Sequence, residues 1–133
     1  MNLLVLIFNK LQFILKPKIV VTTMMPFPPA SWFQLVKDAD IVIFDAAEHY
    51  QKMSYRNRYY LASKEGYQLM SLPLEKGRNQ RIPTSKVNIS YADNWQDTHW
   101  KTIQSLYANS PFFEYLDYQL EPFFKEEIAS LWV

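Results

Sequence analysis

The stretch from Asp45 to Tyr60 contains the densest set of chemically active side chains in the chain. It holds Asp45, Glu48, His49, Tyr50, Lys52, Tyr55, Arg56, Asn57, Arg58, Tyr59 and Tyr60. Carboxylates and imidazoles transfer protons near neutral pH, so we predict that His49 and Asp45 are catalytic residues. Each also has a structural alternative. Asp45 could simply accept backbone hydrogen bonds, and His49 could be an ordinary surface residue.

The cations of the same stretch predict a binding site for an anionic small molecule. Arginine holds a phosphate or carboxylate through two parallel hydrogen bonds, so Arg56 and Arg58, together with Lys52, are predicted substrate-binding residues. Asn57 would orient the substrate or donate to a developing oxyanion, and Tyr55 would stack on a sugar or a base. The alternative is that both arginines form ion pairs with acidic neighbours across a sheet.

Composition excludes several other kinds of site. The chain has no cysteine, which excludes disulfides, thiol nucleophiles and thiolate zinc sites. Two glycines are too few for a dinucleotide fingerprint or a P-loop. We predict no cofactor and no metal site, although Asp45, Glu48 and His49 are ligand types that a divalent ion accepts. His99 lies on the apolar side of a predicted helix, which is typical of a hydrogen-bonded core histidine.

Positive charge is concentrated in the middle of the chain. Residues 49–92 hold eight basic and two acidic side chains, whereas residues 93–133 hold two basic and seven acidic ones. A basic segment attracts anions, but the two segments could equally face each other. The overall balance of 14 basic to 13 acidic side chains lacks the excess typical of nucleic-acid-binding domains. We therefore predict no nucleic-acid partner.

The elements that precede this stretch form a predicted βαβ unit. Residues 19–21 and 41–44 are short apolar runs typical of strands, and the second is continuous enough to suggest a strand covered on both faces. Between them, residues 31–38 have helical spacing, with Ser31 as the predicted N-cap. Because ligands bind beyond the carboxyl ends of parallel strands, this unit would place Asp45 at the start of the site.

The middle of the chain has the pattern of an antiparallel hairpin. Residues 59–62 and 67–72 are strand candidates, and a glycine-containing loop over 63–66 joins them. Residues 75–82 are polar and basic, which predicts an exposed loop. Alternation of apolar and polar residues over 87–91 predicts a third, half-buried strand.

The last third of the chain has helical periodicity. Asp93 and Gln96 predict a capping box, and Asn109 to Pro111 predict the end of that helix. A second helical pattern spans residues 113–131, and Pro122 should kink or split it. The predicted fold class is therefore mixed α/β, with an N-terminal βαβ unit, a central antiparallel hairpin and C-terminal helices.

Both ends of the chain are apolar. Residues 1–17 are too short and too interrupted for a membrane span, which needs about 20 apolar residues. They form an extension that is either a docking or membrane-surface helix or sequence upstream of the natural start. We expect one domain over residues 18–133 that is incomplete at its C-terminus, because the chain stops at apolar residues. These ends could contact a protein partner.

Three segments in order resemble the WbqC-like protein family of bacteria. The first is MMPFPPASWFQLVKDADIVIFD (residues 24–45), in which a proline- and aromatic-rich turn precedes a helix and a strand that ends in Asp. The second is EHYQKMSYRNRYYL (48–61), with an Arg-Asn motif. The third is HWKTIQSLYANSPFF (99–113). The resemblance runs from about Ile19 to about Phe124.

The resemblance implies a cytoplasmic protein of O-antigen, lipopolysaccharide or other surface polysaccharide biosynthesis. It also implies a transferase that moves glycine, or a related aminoacyl or acyl group, onto a nucleotide-activated or lipid-linked sugar. The substrate would be an anionic small molecule, a sugar nucleotide or an acyl donor. Two alternatives stay open: a non-catalytic binding or scaffolding module of a polysaccharide assembly complex, and an inactive fragment.

Overall fold

Residues 16–132, the part of the chain that the computed structural model describes, contain three helices and four strands. In order they are β1 (Ile19–Thr22), α1 (Ala30–Val36), β2 (Ile41–Phe44), β3 (Arg58–Ser63), β4 (Gly66–Ser71), α2 (Trp95–Tyr107) and α3 (Phe113–Leu120). The mixed α/β prediction is confirmed. The predicted N-terminal extension lies almost entirely outside the described residues. None of the helices in residues 16–132 combines the length and apolar character that crossing a membrane requires.

The βαβ unit forms as predicted. Strands β1 and β2 pair in parallel, with Ile19 opposite Ile41, and α1 connects them. The prediction that β2 is covered on both faces is wrong for the described residues, since Ile41 and Ile43 are 46% and 45% exposed. A two-stranded sheet beside a helix of seven residues has too little neighbouring surface to bury both faces. The Ser31 cap is also wrong, because Pro29 is the N-cap.

The hairpin is confirmed, with a tighter loop than predicted. Strands β3 and β4 pair from Arg58–Ser71 to Ser63–Gly66, which leaves two residues in the turn. Gly66 has a φ of +126°, a conformation that side chains rarely adopt. The Ser63 hydroxyl closes the turn by donating to the Gly66 carbonyl at 3.1 Å.

The core lies between the hairpin and helix α2. Strand β3 contributes Tyr59, and α2 contributes Trp100 and Ile103. The predicted strand over residues 87–91 is wrong, because that segment makes only isolated bridges in the described structure. Its alternation is nonetheless meaningful, since Val87 and Ile89 are both buried.

The C-terminal helices differ from prediction at their ends. Asn94, not Asp93, is the N-cap of α2, and it makes no side-chain cap bond. The capping box is therefore wrong. Gln96 instead donates to the Glu126 carbonyl, 30 residues away, at 2.7 Å. The predicted split at Pro122 is confirmed, because α3 ends at Leu120 and a 3-10 turn follows over Glu121–Phe124. The helix does not resume after that turn.

Candidate functional site

An ion pair fixes the first predicted anion-binding residue. The Arg56 guanidinium donates from Nε and Nη2 to the two carboxylate oxygens of Glu48, at 3.1 and 2.6 Å. The two side chains are only 15% and 13% exposed. This two-point geometry uses the same face of the guanidinium that would grip a phosphate. The alternative raised by the sequence, an ion pair with an acidic neighbour, is thus confirmed for Arg56, although the pair lies in the segment before β3 and not across a sheet.

Asn57 is a buried anchor. It is 6% exposed, and its Oδ1 accepts a hydrogen bond from the Tyr50 hydroxyl at 2.9 Å. Its Nδ2 donates to the Leu72 carbonyl at 3.0 Å and to the Ser71 hydroxyl at 3.4 Å. The amide therefore ties the chain before β3 to the chain at the end of β4. We call Glu48, Tyr50, Arg56 and Asn57 the polar network.

Arg58 stands at the edge of the polar network. It is the first residue of β3 and is half-buried. Burial raises the pKa of Tyr50, and the positive charges of Arg58 and Arg78 oppose that rise. Neither arginine makes an ion pair with any acidic group in residues 16–132.

The remaining predicted cation and bases are exposed. Asp45 accepts a hydrogen bond from the Ala47 amide at 2.9 Å, just beyond the end of β2. His49 forms an isolated antiparallel β-bridge with Pro83. Lys52 lies in the turn that follows. Among the residues described, no three acidic or histidine side chains converge as a metal site would require.

A large apolar cavity lies beside this region. It has a volume of about 860 Å³ and opens between the hairpin, α2 and α3. Its walls include Tyr55, Tyr60, Tyr67, Tyr107, Leu116 and Leu120, and we call it the tyrosine groove. Tyr55 is the one predicted site residue that lines it; the other six, all within the described part of the chain, do not.

The inner tyrosines of the groove are already hydrogen-bonded. The Tyr59 hydroxyl lies 2.9 Å from His99 Nδ1, and the Tyr107 hydroxyl donates to the Ala62 carbonyl at 2.8 Å. Burial raises the pKa of Tyr59 and lowers that of His99. The prediction of a hydrogen-bonded core histidine is thus confirmed. Sequence analysis missed most of the groove, and the available signal was the cluster of tyrosines at positions 55, 59, 60 and 67.

The whole groove falls within a region that matches known proteins. Residues 25–133 match the WbqC-like protein family. The chain belongs to this family. An uncharacterized protein of Mycobacterium tuberculosis (strain ATCC 25618 / H37Rv), Rv1507c, is 26% identical over 113 residues. That similarity covers 83% of this chain and 47% of the mycobacterial protein, so the chain spans about half the length of its relative. No solved structure matches the chain.

The WbqC-like region includes both the polar network and every residue that lines the groove. The lining runs from Phe27 to Leu120, inside the matched range of 25–133. Strand β1 lies before that range. The WbqC-like match therefore places the hairpin, the polar network and the groove in one family region, whereas part of the parallel sheet falls outside it.

Proposed function

We propose that this WbqC-like chain is a cytoplasmic transferase, or part of one, in bacterial surface polysaccharide biosynthesis. The reaction would move an aminoacyl group, such as glycine, or a related acyl group onto the amine or hydroxyl of an activated sugar. A base would take the proton of the attacking amine or hydroxyl, while the donor's leaving group departs from the acyl carbon.

One observation carries this proposal: a tyrosine-walled groove beside a cation with no ion pair in residues 16–132. Alternate residues of a strand share a face and lie about 7 Å apart, so Arg58 is next to Tyr60, which lines the groove. A ligand can therefore place an uncharged part in the groove and a phosphate against Arg58. An activated sugar has both parts.

The geometry divides the predicted residues into two groups. We assign the anion contact to Arg58, with exposed Lys52 beside the same segment, and stacking on the sugar to Tyr55. His49 or Asp45 would serve as the base, since both are exposed beyond β2. Arg56 and Asn57 have their polar groups engaged, so we assign them positioning roles.

Ligand titration tests the anion contact. We expect the protein to bind nucleoside diphosphates and sugar nucleotides. The affinity should fall about ten-fold in Arg58→Ala, because one charged hydrogen bond is lost. Arg81→Ala is the matched control, because Arg81 is an exposed arginine without an ion pair in the described structure. If Arg58→Ala binds every tested anion as tightly as wild type, the assignment fails. Mass spectrometry of the sugar after incubation with aminoacyl donors then tests transfer.

A second candidate function is a non-catalytic binding module of a polysaccharide assembly complex. Its support is the exposure of large apolar side chains on the βαβ unit, including Ile19, Val21, Phe33, Ile41 and Ile43. Contiguous exposed apolar surface often marks a protein contact. Size-exclusion chromatography separates the candidates, since a monomer that captures no component of the assembly complex would count against the binding module.

A further inference from the structure

The tyrosine groove is poor in polar groups. Among the residues that line it there is no charged side chain, and its side-chain polar atoms belong to Ser110 and to tyrosines. Two of those tyrosine hydroxyls, on Tyr59 and Tyr107, already have partners. The groove therefore offers extensive apolar contact and few hydrogen bonds.

A nucleotide does not suit such a lining. Its base and ribose carry several donors and acceptors, and each one buried without a partner weakens binding. A hydrocarbon chain has no such groups, and each CH₂ that it buries strengthens binding. The volume of about 860 Å³ lies within the usual range for ligand pockets, about 300–1,000 Å³. The lining thus favours hydrocarbon over a nucleotide.

Charge lies beside the groove and not inside it. Arg58 comes directly before the groove-lining residues of β3, at the end of the strand away from the hairpin turn. Arg58 has no ion pair in the part of the chain that the structure describes. An apolar groove beside such a cation complements an amphiphile with a long hydrocarbon chain and an anionic head.

We propose that the tyrosine groove binds the hydrocarbon chain of a lipid-linked phosphate or diphosphate, whose head lies against Arg58. This inference rests on the proposed function and narrows it, because the activated sugar would be carried on a lipid and not on a nucleotide. The sugar would lie beyond the phosphate, on the side of exposed His49 and Lys52, so that groove-lining Tyr55 would contact the hydrocarbon chain in place of the sugar.

A chain-length series tests the groove. The probes are isoprenoid diphosphates of 5, 10, 15 and 20 carbons below their micelle concentrations, with inorganic pyrophosphate as the headgroup alone. Because each buried carbon contributes, we expect affinity to rise at least ten-fold for each added five-carbon unit until the groove is filled. Equal affinity for pyrophosphate and the 20-carbon diphosphate would overturn the inference.

A matched pair of variants tests the location. Leu116 lines the groove and is 50% exposed, whereas Leu35 is 52% exposed on α1 and does not line it. We expect Leu116→Asp to weaken binding of the 20-carbon diphosphate at least ten-fold and Leu35→Asp to leave it unchanged. Tyr67→Asp changes the groove wall formed by β4. Because the Tyr67 side chain is 82% exposed, this variant should fold and can replace Leu116→Asp if that variant does not. Equal effects inside and outside the groove would overturn the proposal.

Arg58→Gln tests the contact with the anionic head. It should weaken binding of the 20-carbon diphosphate about ten-fold and leave the chain-length dependence intact, while Arg81→Gln should have no effect. A sugar nucleotide is titrated in parallel. If it binds at Arg58 and the lipid diphosphate does not, this inference fails and the proposed function stands. If neither binds, both fail.

Discussion

The polar network and the tyrosine groove both adjoin the β3–β4 hairpin, yet they use their side chains in opposite ways. In the network, Glu48, Arg56 and Asn57 direct nearly all their polar atoms at one another or at the backbone. In the groove, the walls expose apolar surface around a cavity of about 860 Å³. The network is closed to a ligand, and the groove is open to one.

The difference shows which of the reactive side chains between β2 and β3 stabilise the fold and which remain available to a ligand. The chain between β2 and β3 runs for 13 residues, 45–57, without a regular element, and side-chain bonds add to the few backbone bonds that hold it. The side chains of Asn57 and Arg56 make such bonds, and their polar groups are therefore unavailable to a substrate. Binding capacity is left to the residues that the fold does not need as anchors, such as Arg58 and the groove walls.

The largest effect should come from breaking the ion pair of the network. Arg56→Ala leaves the Glu48 carboxylate largely buried without its partner, which we expect to lower the free energy of unfolding by about 3 kcal/mol. Urea denaturation measures this change. Lys101→Ala is the control, because the Lys101–Asp97 pair is exposed and should contribute less than about 0.5 kcal/mol.

We also expect Arg56→Ala to leave the affinity for anions unchanged. Wherever the variant is folded, its affinity for pyrophosphate or a sugar nucleotide should stay within about two-fold of wild type, while Arg58→Ala loses about ten-fold. An unchanged stability combined with a large loss of affinity would reverse the roles that we assign to the two arginines.

The next effect concerns the amide anchor. Asn57→Ala removes the acceptor of the Tyr50 hydroxyl and the donor to the Leu72 carbonyl, both in the interior. Since two buried groups lose partners, we expect a loss of about 2 kcal/mol in the free energy of unfolding. Asn79→Ala, at an exposed position, is the control and should change stability by less than about 0.5 kcal/mol. Equal effects at the two positions would contradict the anchoring role.

Local patterns in the sequence were enough to predict the hairpin and the βαβ unit. Two strand candidates joined by a glycine-containing loop predicted the hairpin, and short apolar runs on either side of a helical pattern predicted the parallel pairing of β1 and β2. The split at Pro122 follows from the missing amide hydrogen of proline. The WbqC-like resemblance, which rests on three separated segments, is confirmed over residues 25–133.

Long-range partners could not be predicted in the same way. Gln96 suits a capping box, yet its side chain bonds to the Glu126 carbonyl on another segment. Asn57 suits an oxyanion role, yet it meets Leu72, which is brought near by hairpin pairing. The groove combines β3 with α2 and α3, about 40 residues later in the chain, and no spacing rule links them. Short-range periodicity does not contain this information.

A third prediction concerns a polar atom beside the network that has no partner. Thr84 is fully buried, and its Oγ1 has no hydrogen bond among the described residues, although its amide donates to the Glu48 carbonyl. Thr84→Val keeps the shape and removes the hydroxyl, so we expect it to raise the free energy of unfolding by about 1 kcal/mol. Ser85→Ala should act in the opposite direction, because the Ser85 hydroxyl donates to the Ala46 carbonyl at 2.9 Å. A destabilised Thr84→Val would mean that this hydroxyl has a bonding role.

The last prediction extends the comparison to pH. Burial lowers the pKa of His99, next to the groove tyrosine Tyr59, below its ordinary value of 6.5. The unfolded chain then binds the proton more tightly than the folded one, so the free energy of unfolding should fall as the pH drops from about 6.5 towards the folded-state pKa. His99→Gln should weaken this dependence, and His49→Gln, at an exposed histidine, should retain it. Urea midpoints at pH 7.5 and 5.5 measure it, and an identical pH dependence in wild type and His99→Gln would show that the Tyr59–His99 pair does not control acid stability.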